Sequence, residues 1–137
     1  MKRKNVIITH GNMAEGILNS CSLFFDITDY KAFGLQPGED VELFYDKVEK
    51  ELLDENYENI LVLTDIVGGT PYNTATKVFL KNREIKHIEI ITGVNLPMLL
   101  ELGFNEEDDM EKLKEKAINA GQEGIMDLKN KLKNLYS

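Results

Sequence analysis

Two titratable side chains and a glycine turn are the residues of this chain best suited to chemistry. His10 follows a short apolar run, Asp65 follows another, and Gly68, Gly69 and Thr70 come directly after that aspartate. A carboxylate that accepts the Nδ1 proton of a neutral imidazole leaves a lone pair on Nε2, which can act as a nucleophile or a base. His10 and Asp65 can therefore carry nucleophilic chemistry if the fold brings them together.

The glycine turn predicts an anion site beside that nitrogen. Gly68 and Gly69 permit backbone angles that other residues resist, and they allow a ligand to approach the backbone closely. Thr70 is a favourable N-cap and Pro71 a favourable first helical residue. Free N–H groups at a helix N-terminus attract anions, phosphate above all. The combination favours phosphoryl transfer to and from His10 Nε2, with few further catalytic side chains needed.

Other interpretations stay open at this level, and some fit poorly. A histidine after a strand is often bonded to backbone, and the glycine turn could serve only as a capped strand-to-helix connection. No metal is predicted, because no further His or Cys lies at useful spacing. Neither Gly-x-Ser-x-Gly nor Gly-x4-Gly-Lys-Ser/Thr occurs. A receiver domain would need an acidic pair after the first strand, where this chain has Thr9, His10 and Gly11.

The composition predicts one cytoplasmic domain over residues 1–137. Hydrophobic residues make up 42% and charged residues 29% of the chain, as in ordinary globular proteins. Its net charge of −8 argues against nonspecific nucleic-acid binding, so a phosphate site would depend on local amides and dipoles. A single cysteine, Cys21, fits a reducing cytosol and a small core side chain. The sequence shows neither a signal-peptide pattern nor an apolar run of membrane-spanning length.

Hydrophobic periodicity predicts alternating strands and helices. Four apolar runs read as strands: Asn5–Thr9, Tyr30–Leu35, Ile60–Leu63 and Ile88–Thr92. Helices follow them, with predicted N-caps at Asn12, Asp40, Thr70, Asn95 and Asn105.

This alternation predicts an α/β fold with a doubly wound, mainly parallel four-stranded sheet, in the order 2-1-3-4, with helices on both faces. Glu123–Leu128 is compatible either with a helix or with an added antiparallel edge strand. In such sheets the ligand crevice lies at the carboxyl ends of the strands, where the strand order reverses. The predicted order therefore places His10 and Asp65 side by side.

Four segments give the chain a family resemblance. It resembles the enzyme IIA domain of the mannose family of the bacterial phosphoenolpyruvate-dependent sugar phosphotransferase system. The pattern Asp-x-x-Gly-Gly-Ser/Thr-Pro-aromatic-Asn is specific, and its recurrence by chance together with the first segment is improbable. In order along the chain, the matching segments are Thr9–Gly16, Pro37–Glu39, Thr64–Asn73 and Gly93–Leu99.

The resemblance implies roles for the site residues. His10 would be phosphorylated at Nε2, Asp65 would orient it, and Gly68, Gly69 and Thr70 would bind the phosphate without a cofactor. The donor would be the histidine-containing phosphocarrier protein and the acceptor enzyme IIB, which serves the membrane subunits IIC and IID. A homodimer is expected, in some relatives with an exchanged edge strand. The alternative is a regulatory or binding module that acts through its phosphorylation state.

The chain also departs from the family pattern. Val67 stands where the family often has an aromatic residue, and Tyr72 where it often has phenylalanine. Both positions are expected on the docking surface around His10. The sequence ends at Ser137 without an Ala/Pro-rich linker to a IIB domain, which is expected of a free-standing IIA or of an excised domain.

Overall fold

A four-stranded, fully parallel sheet forms the centre of the computed structural model, which describes residues 3–136. The order of the strands is β2-β1-β3-β4, as predicted. The strands are β1 (Arg3–His10), β2 (Tyr30–Leu35), β3 (Asn59–Thr64) and β4 (His87–Thr92). The helices are α1 (Met13–Cys21), α2 (Val41–Leu52), α3 (Thr70–Asn82), α4 (Leu96–Phe104), α5 (Met110–Glu123) and α6 (Leu128–Tyr136). The predicted fold class is confirmed.

The two central strands explain why helices cover both faces of the sheet. Val6 and Ile8 of β1 pack with α2 and α3, whereas Ile7 packs with α1, α4 and α5. Successive side chains of a strand point to opposite faces, so a continuous apolar run requires cover on both sides. Residues 60–64 are likewise fully buried. Cys21, the last residue of α1, is buried in the core.

The helix starts confirm two of the predicted caps in full and correct three. Asp40 accepts N–H bonds at the start of α2, and the Asn95 side chain accepts one from Met98 at 3.0 Å. Asn12 occupies the N-cap position of α1 as predicted, but its side chain makes no capping bond. Thr70 is the first residue of α3, whose N-cap is Gly69.

The third correction concerns the acidic segment before α5. Asn105 Oδ1 accepts an N–H bond from Glu107 at 2.8 Å within a local turn, so the helix does not begin there. Instead α5 begins at Met110, capped by Asp109, and residues 106–108 precede the helix and do not form its first turn.

The open question at Glu123–Leu128 is answered by a helix end and a loop. Glu123 is the last residue of α5, and residues 125–127 form no regular structure. Asp127 Oδ1 then accepts the Asn130 N–H at 3.1 Å, a capping bond that starts α6. Within residues 3–136 the sheet therefore has four strands and no antiparallel edge strand. Over the same residues no helix combines the length and apolarity that crossing a bilayer requires.

Candidate active site

The reversal of strand order brings His10 and Asp65 to one edge of the sheet. β1 and β3 are hydrogen-bonded neighbours, with Ile8 in register with Thr64. His10 is the last residue of β1, and Asp65 follows the last residue of β3. The crevice lies where the strand order predicted it, at the carboxyl ends of the parallel strands β1 and β3.

One carboxylate holds both the backbone and the ring of the histidine. Asp65 Oδ2 lies 2.8 Å from His10 Nδ1 and 3.0 Å from the His10 backbone nitrogen. Asp65 Oδ1 accepts the Ile66 N–H at 3.0 Å. An ionised carboxylate can only accept, so Nδ1 is the donor and carries the ring proton. The neutral ring therefore presents its lone pair at Nε2.

The ionisation of Asp65 follows from its surroundings. Partial burial opposes the charged form, but the hydrogen bonds from the His10 backbone and ring outweigh that effect and lower the pKa of the Asp65 carboxyl below its ordinary value. Asp65 is therefore a carboxylate at neutral pH. Its side chain is 14% exposed while that of His10 is 50% exposed, so the acid is enclosed and the imidazole faces solvent.

The glycine turn lies directly against the imidazole. A Cβ placed on Gly69 would be 2.6 Å from His10 Cε1 and 3.3 Å from Nε2, closer than side chains tolerate. Gly68 has a φ of +82°, a left-handed conformation that favours glycine. The Asn73 side-chain amide donates to the Gly68 carbonyl at 3.2 Å and holds the turn from the first turn of α3. Gly69 thus makes room for the ring itself, while Gly68 provides the left-handed turn before it.

The N-terminus of α3 adjoins this turn, although not with the predicted cap. Gly69 occupies the N-cap position and Pro71 lies in the first turn. Gly69 has extended backbone angles, as N-caps do, and this leaves Thr70 one position inside the helix without a capping bond. The first N–H groups of α3 lack acceptors within the helix, and with the dipole they favour an anion.

Sequence reasoning did not single out the role of Asn73. It belongs to the Thr64–Asn73 segment, but nothing in the local pattern shows that its amide reaches five residues back to Gly68. The other histidine, His87, lies at the opposite end of the sheet, at the start of β4. Its ring nitrogens lie 2.6 Å from Asn59 Oδ1 and 2.7 Å from Glu89 Oε2. Among residues 3–136, no cluster of three His, Cys, Asp or Glu side chains could hold a metal ion.

A known family model matches most of the chain. The family model described as "PTS system fructose IIA component" matches residues 4–120. The chain belongs to the mannose family of phosphotransferase-system IIA components. Membership makes it a component of a sugar phosphotransferase system, and it agrees with the resemblance carried by the His10 and Asp65 segments.

Curated relatives of this IIA component include proteins named as EIIAB and as EIIA components. The mannose-specific EIIAB component of Escherichia coli K12 is 32% identical over 130 residues, which are 92% of this chain and 39% of that protein. The chain thus spans about two fifths of that relative's length. The fructose-specific EIIA component of Bacillus subtilis is 33% identical over 100 residues, with 71% of this chain and 66% of that protein covered.

Solved structures share the fold of this IIA component. A phosphotransferase-system EIIA from Streptococcus agalactiae superposes with a TM-score of 0.86 at 30% identity, covering 94% of this chain and 99% of that one. A mannose/sorbose-specific IIA subunit from Enterococcus faecalis gives a TM-score of 0.80 at 25% identity, covering 93% and 95%. Near-complete coverage of both chains means that the fold corresponds over almost its whole length.

Proposed function

We propose that His10 Nε2 accepts a phosphoryl group from the histidine-containing phosphocarrier protein and passes it to enzyme IIB. The observation that carries this proposal is the 2.8 Å contact between His10 Nδ1 and Asp65, which commits the ring proton to Nδ1. Within residues 3–136 no hydrogen bond engages Nε2, and the ring is half exposed. An exposed, oriented lone pair is what an incoming phosphoryl group requires.

The proposed step is a transfer between two histidines. The bond between phosphorus and the donor histidine breaks as the bond between phosphorus and His10 Nε2 forms. The lone pair of Nε2 makes the new bond, and the electron pair of the broken bond stays on the donor nitrogen. The Nδ1 proton stays on His10, so the phosphorylated ring is positively charged, and the Asp65 carboxylate stabilises that charge. The α3 N-terminus, with the Gly68–Gly69 turn and the Thr70 hydroxyl, would accommodate the phosphoryl oxygens. In the transfer to enzyme IIB, His10 becomes the donor: the bond between phosphorus and Nε2 breaks as phosphorus bonds to the acceptor histidine of enzyme IIB.

The surface beside the site suits two protein partners. Met13 begins α1 close to His10, while Ile66 and Val67 follow Asp65. All three apolar side chains are exposed, Val67 to 64%. Exposed apolar groups beside a polar centre are typical of a docking surface. We place the phosphocarrier protein and enzyme IIB on this surface in turn, with Val67 and Tyr72 contributing to partner preference.

The proposal extends to the assembly around this chain. Enzyme IIB would pass the phosphate to a sugar entering through the membrane subunits IIC and IID, and the protein would act in the cytoplasm as a homodimer. The alternative function, a regulatory or binding module, would keep the same phosphorylation site but would not pass the phosphate to enzyme IIB.

The test is phosphorylation followed by transfer. The protein is incubated with phosphoenolpyruvate, enzyme I and the phosphocarrier protein, then with the cognate enzyme IIB. We expect one acid-labile, base-stable phosphate, mapped to His10 Nε2, that disappears when enzyme IIB is added. A stable phosphate that enzyme IIB cannot remove would support the regulatory alternative. Absence of phosphate with all upstream proteins active would overturn the proposed chemistry.

Gly69→Ala is expected to separate the ring from its partner. The new methyl group would lie 2.6 Å from His10 Cε1, so the imidazole must rotate away from Asp65. Misplacement of about 1 Å can lower a rate roughly 10²-fold, and we expect a loss of that order in the initial rate of phosphorylation.

Gly16→Ala provides the control for Gly69→Ala. It adds the same methyl group on α1, where nothing lies within 4 Å. We expect wild-type phosphorylation from Gly16→Ala and a small gain in helix stability, up to about 1 kcal/mol. Equal rates for the two variants would show that contact between Gly69 and the ring does not matter.

A further inference from the structure

Thr9 is a buried polar residue next to the site whose hydroxyl makes two hydrogen bonds. The residue is fully buried and lies on the same face of β1 as Ile7, under α1. Its Oγ1 accepts the Ala14 N–H at 2.8 Å and donates to the His10 carbonyl at 3.1 Å. Asn12, the predicted cap of α1, instead accepts a bond from the Gln36 side chain at 3.0 Å. The hydroxyl of Thr9 therefore links the first turn of α1 to the backbone of the histidine.

This link completes a set of bonds around His10. The His10 N–H donates to Asp65 Oδ2, its carbonyl accepts from Thr9, and the following N–H, of Gly11, donates to the Leu35 carbonyl at 2.7 Å. Both peptide groups that flank His10 are thereby anchored. Because the His10 backbone N–H and ring share a single oxygen of Asp65, rotation of the backbone would disturb both contacts together.

We propose that Thr9 is a positioning residue for His10. Its hydroxyl uses α1 as a rigid support and holds the His10 peptide group so that Nδ1 stays aligned with Asp65 Oδ2. The effect on transfer rate rests on the function proposed above, whereas the effect on the ring does not. The competing explanation is that Thr9 only caps α1, in which case its loss would lower stability and leave the ring in place.

Three variants separate these explanations. Thr9→Val replaces the hydroxyl with a methyl group of similar size, and Thr9→Ser keeps the hydroxyl. Asp109→Ala removes the cap of α5, which accepts bonds from Glu111 and Lys112 at 2.9 and 3.2 Å. That cap lies at the other end of the sheet from His10, since the neighbouring Asp108 lines a cavity with Arg3 at the start of β1. If Thr9→Val does not fold, Thr9→Ala takes its place.

The readouts are resistance to denaturant, the NMR signals of the His10 ring nitrogens and the initial rate of phosphorylation by the phosphocarrier protein. We expect Thr9→Val to populate both ring tautomers and to slow phosphorylation about tenfold, less than the roughly 10²-fold loss expected for a full 1 Å misplacement. Thr9→Ser should restore the wild-type ring spectrum. Asp109→Ala should lose stability but keep the wild-type spectrum and rate.

Each outcome decides between the two roles. Wild-type ring signals and rate in a folded Thr9→Val, with lowered stability alone, would leave Thr9 as a helix cap and overturn the proposal. An altered ring spectrum that Thr9→Ser also shows would overturn the role of the hydroxyl. If the wild-type protein itself takes no phosphate, the proposed function fails, while the ring spectra of the unphosphorylated variants still decide the role of Thr9.

Discussion

We expect His10→Ala to take up no phosphate from the phosphocarrier protein, against complete labelling of the wild type. The substitution removes the nucleophile of the proposed transfer, and among residues 3–136 the only other imidazole, that of His87, lies at the opposite end of the sheet. The fold should survive, because the side chain is 50% exposed and lies outside the core. Loss of its hydrogen bond to Asp65 should lower the free energy of unfolding by about 1 kcal/mol. Radiolabel incorporation and chemical denaturation measure the two effects.

His87→Ala is the matched control for this loss. His87 is the only other histidine of the chain, and it lies at the opposite end of the sheet. We expect full labelling of His87→Ala. Labelling retained by His10→Ala, or lost only in His87→Ala, would remove the central claim about the site.

Asp65→Asn should slow phosphorylation of His10 by about 10² to 10⁴-fold, up to the loss that follows when an orienting carboxylate becomes an amide and its histidine takes the wrong tautomer. Three N–H groups point at this carboxylate: two from His10 at Oδ2 and one from Ile66 at Oδ1. An amide has one oxygen and one NH₂ group, so either orientation sets a donor against a donor. With the NH₂ group facing Nδ1, the ring changes tautomer and its lone pair leaves Nε2. Asp65→Ala should slow transfer similarly, by removing the partner.

Asp109→Asn controls for the same chemical change. Asp109 uses one oxygen, Oδ1, for both of its capping bonds, so an amide oxygen can replace it without a clash. We expect near wild-type stability and labelling from this variant, whereas Asp65→Asn should also lose about 1 to 3 kcal/mol through its mismatched N–H group. Wild-type rates in Asp65→Asn would show that tautomer control is not the task of Asp65.

The lowered pKa of Asp65 sets the pH range of this stability difference. A carboxyl whose pKa is lower in the folded state stabilises the fold fully above its unfolded value of about 3.9, and the contribution is lost as pH falls through the folded pKa. The part of the difference in unfolding free energy between wild type and Asp65→Asn that comes from the Asp65 charge should thus shrink as the pH falls below about 4. Denaturant titrations at a series of acidic pH values provide the check.

Much of the crevice could be predicted from local patterns. Apolar runs and the residues between them indicated four parallel strands, and the order expected with the first strand in a central position, 2-1-3-4, is the observed one. That order places the ends of β1 and β3 together. His10 and Asp65, 55 residues apart in the chain, could be paired on that basis. Capping by Asp40 and Asn95 was equally local, because each side chain bonds to N–H groups two or three residues ahead.

The C-terminal segment shows where such patterns stop being decisive. Glu123–Leu128 suited a helix or an edge strand, and the difference depends on whether a strand partner lies within reach. In the structure the capping bond of Asp127 starts α6, and the segment before it joins no sheet. The start of α3 is similar, since Thr70 is a good N-cap by type but Gly69 takes the position.

The sequence by itself determined the fold class, because apolar periodicity and parallel connections restrict the topology strongly. With the first strand in a central position, it also predicted the meeting of His10 with Asp65. Only the tertiary structure decided what surrounds the imidazole. The close approach of Gly69, the shared oxygen of Asp65 and the two bonds of Thr9 depend on how separate elements are placed relative to one another, to within a few tenths of an ångström. Residue type and spacing show which groups can bond, but packing selects which of them do.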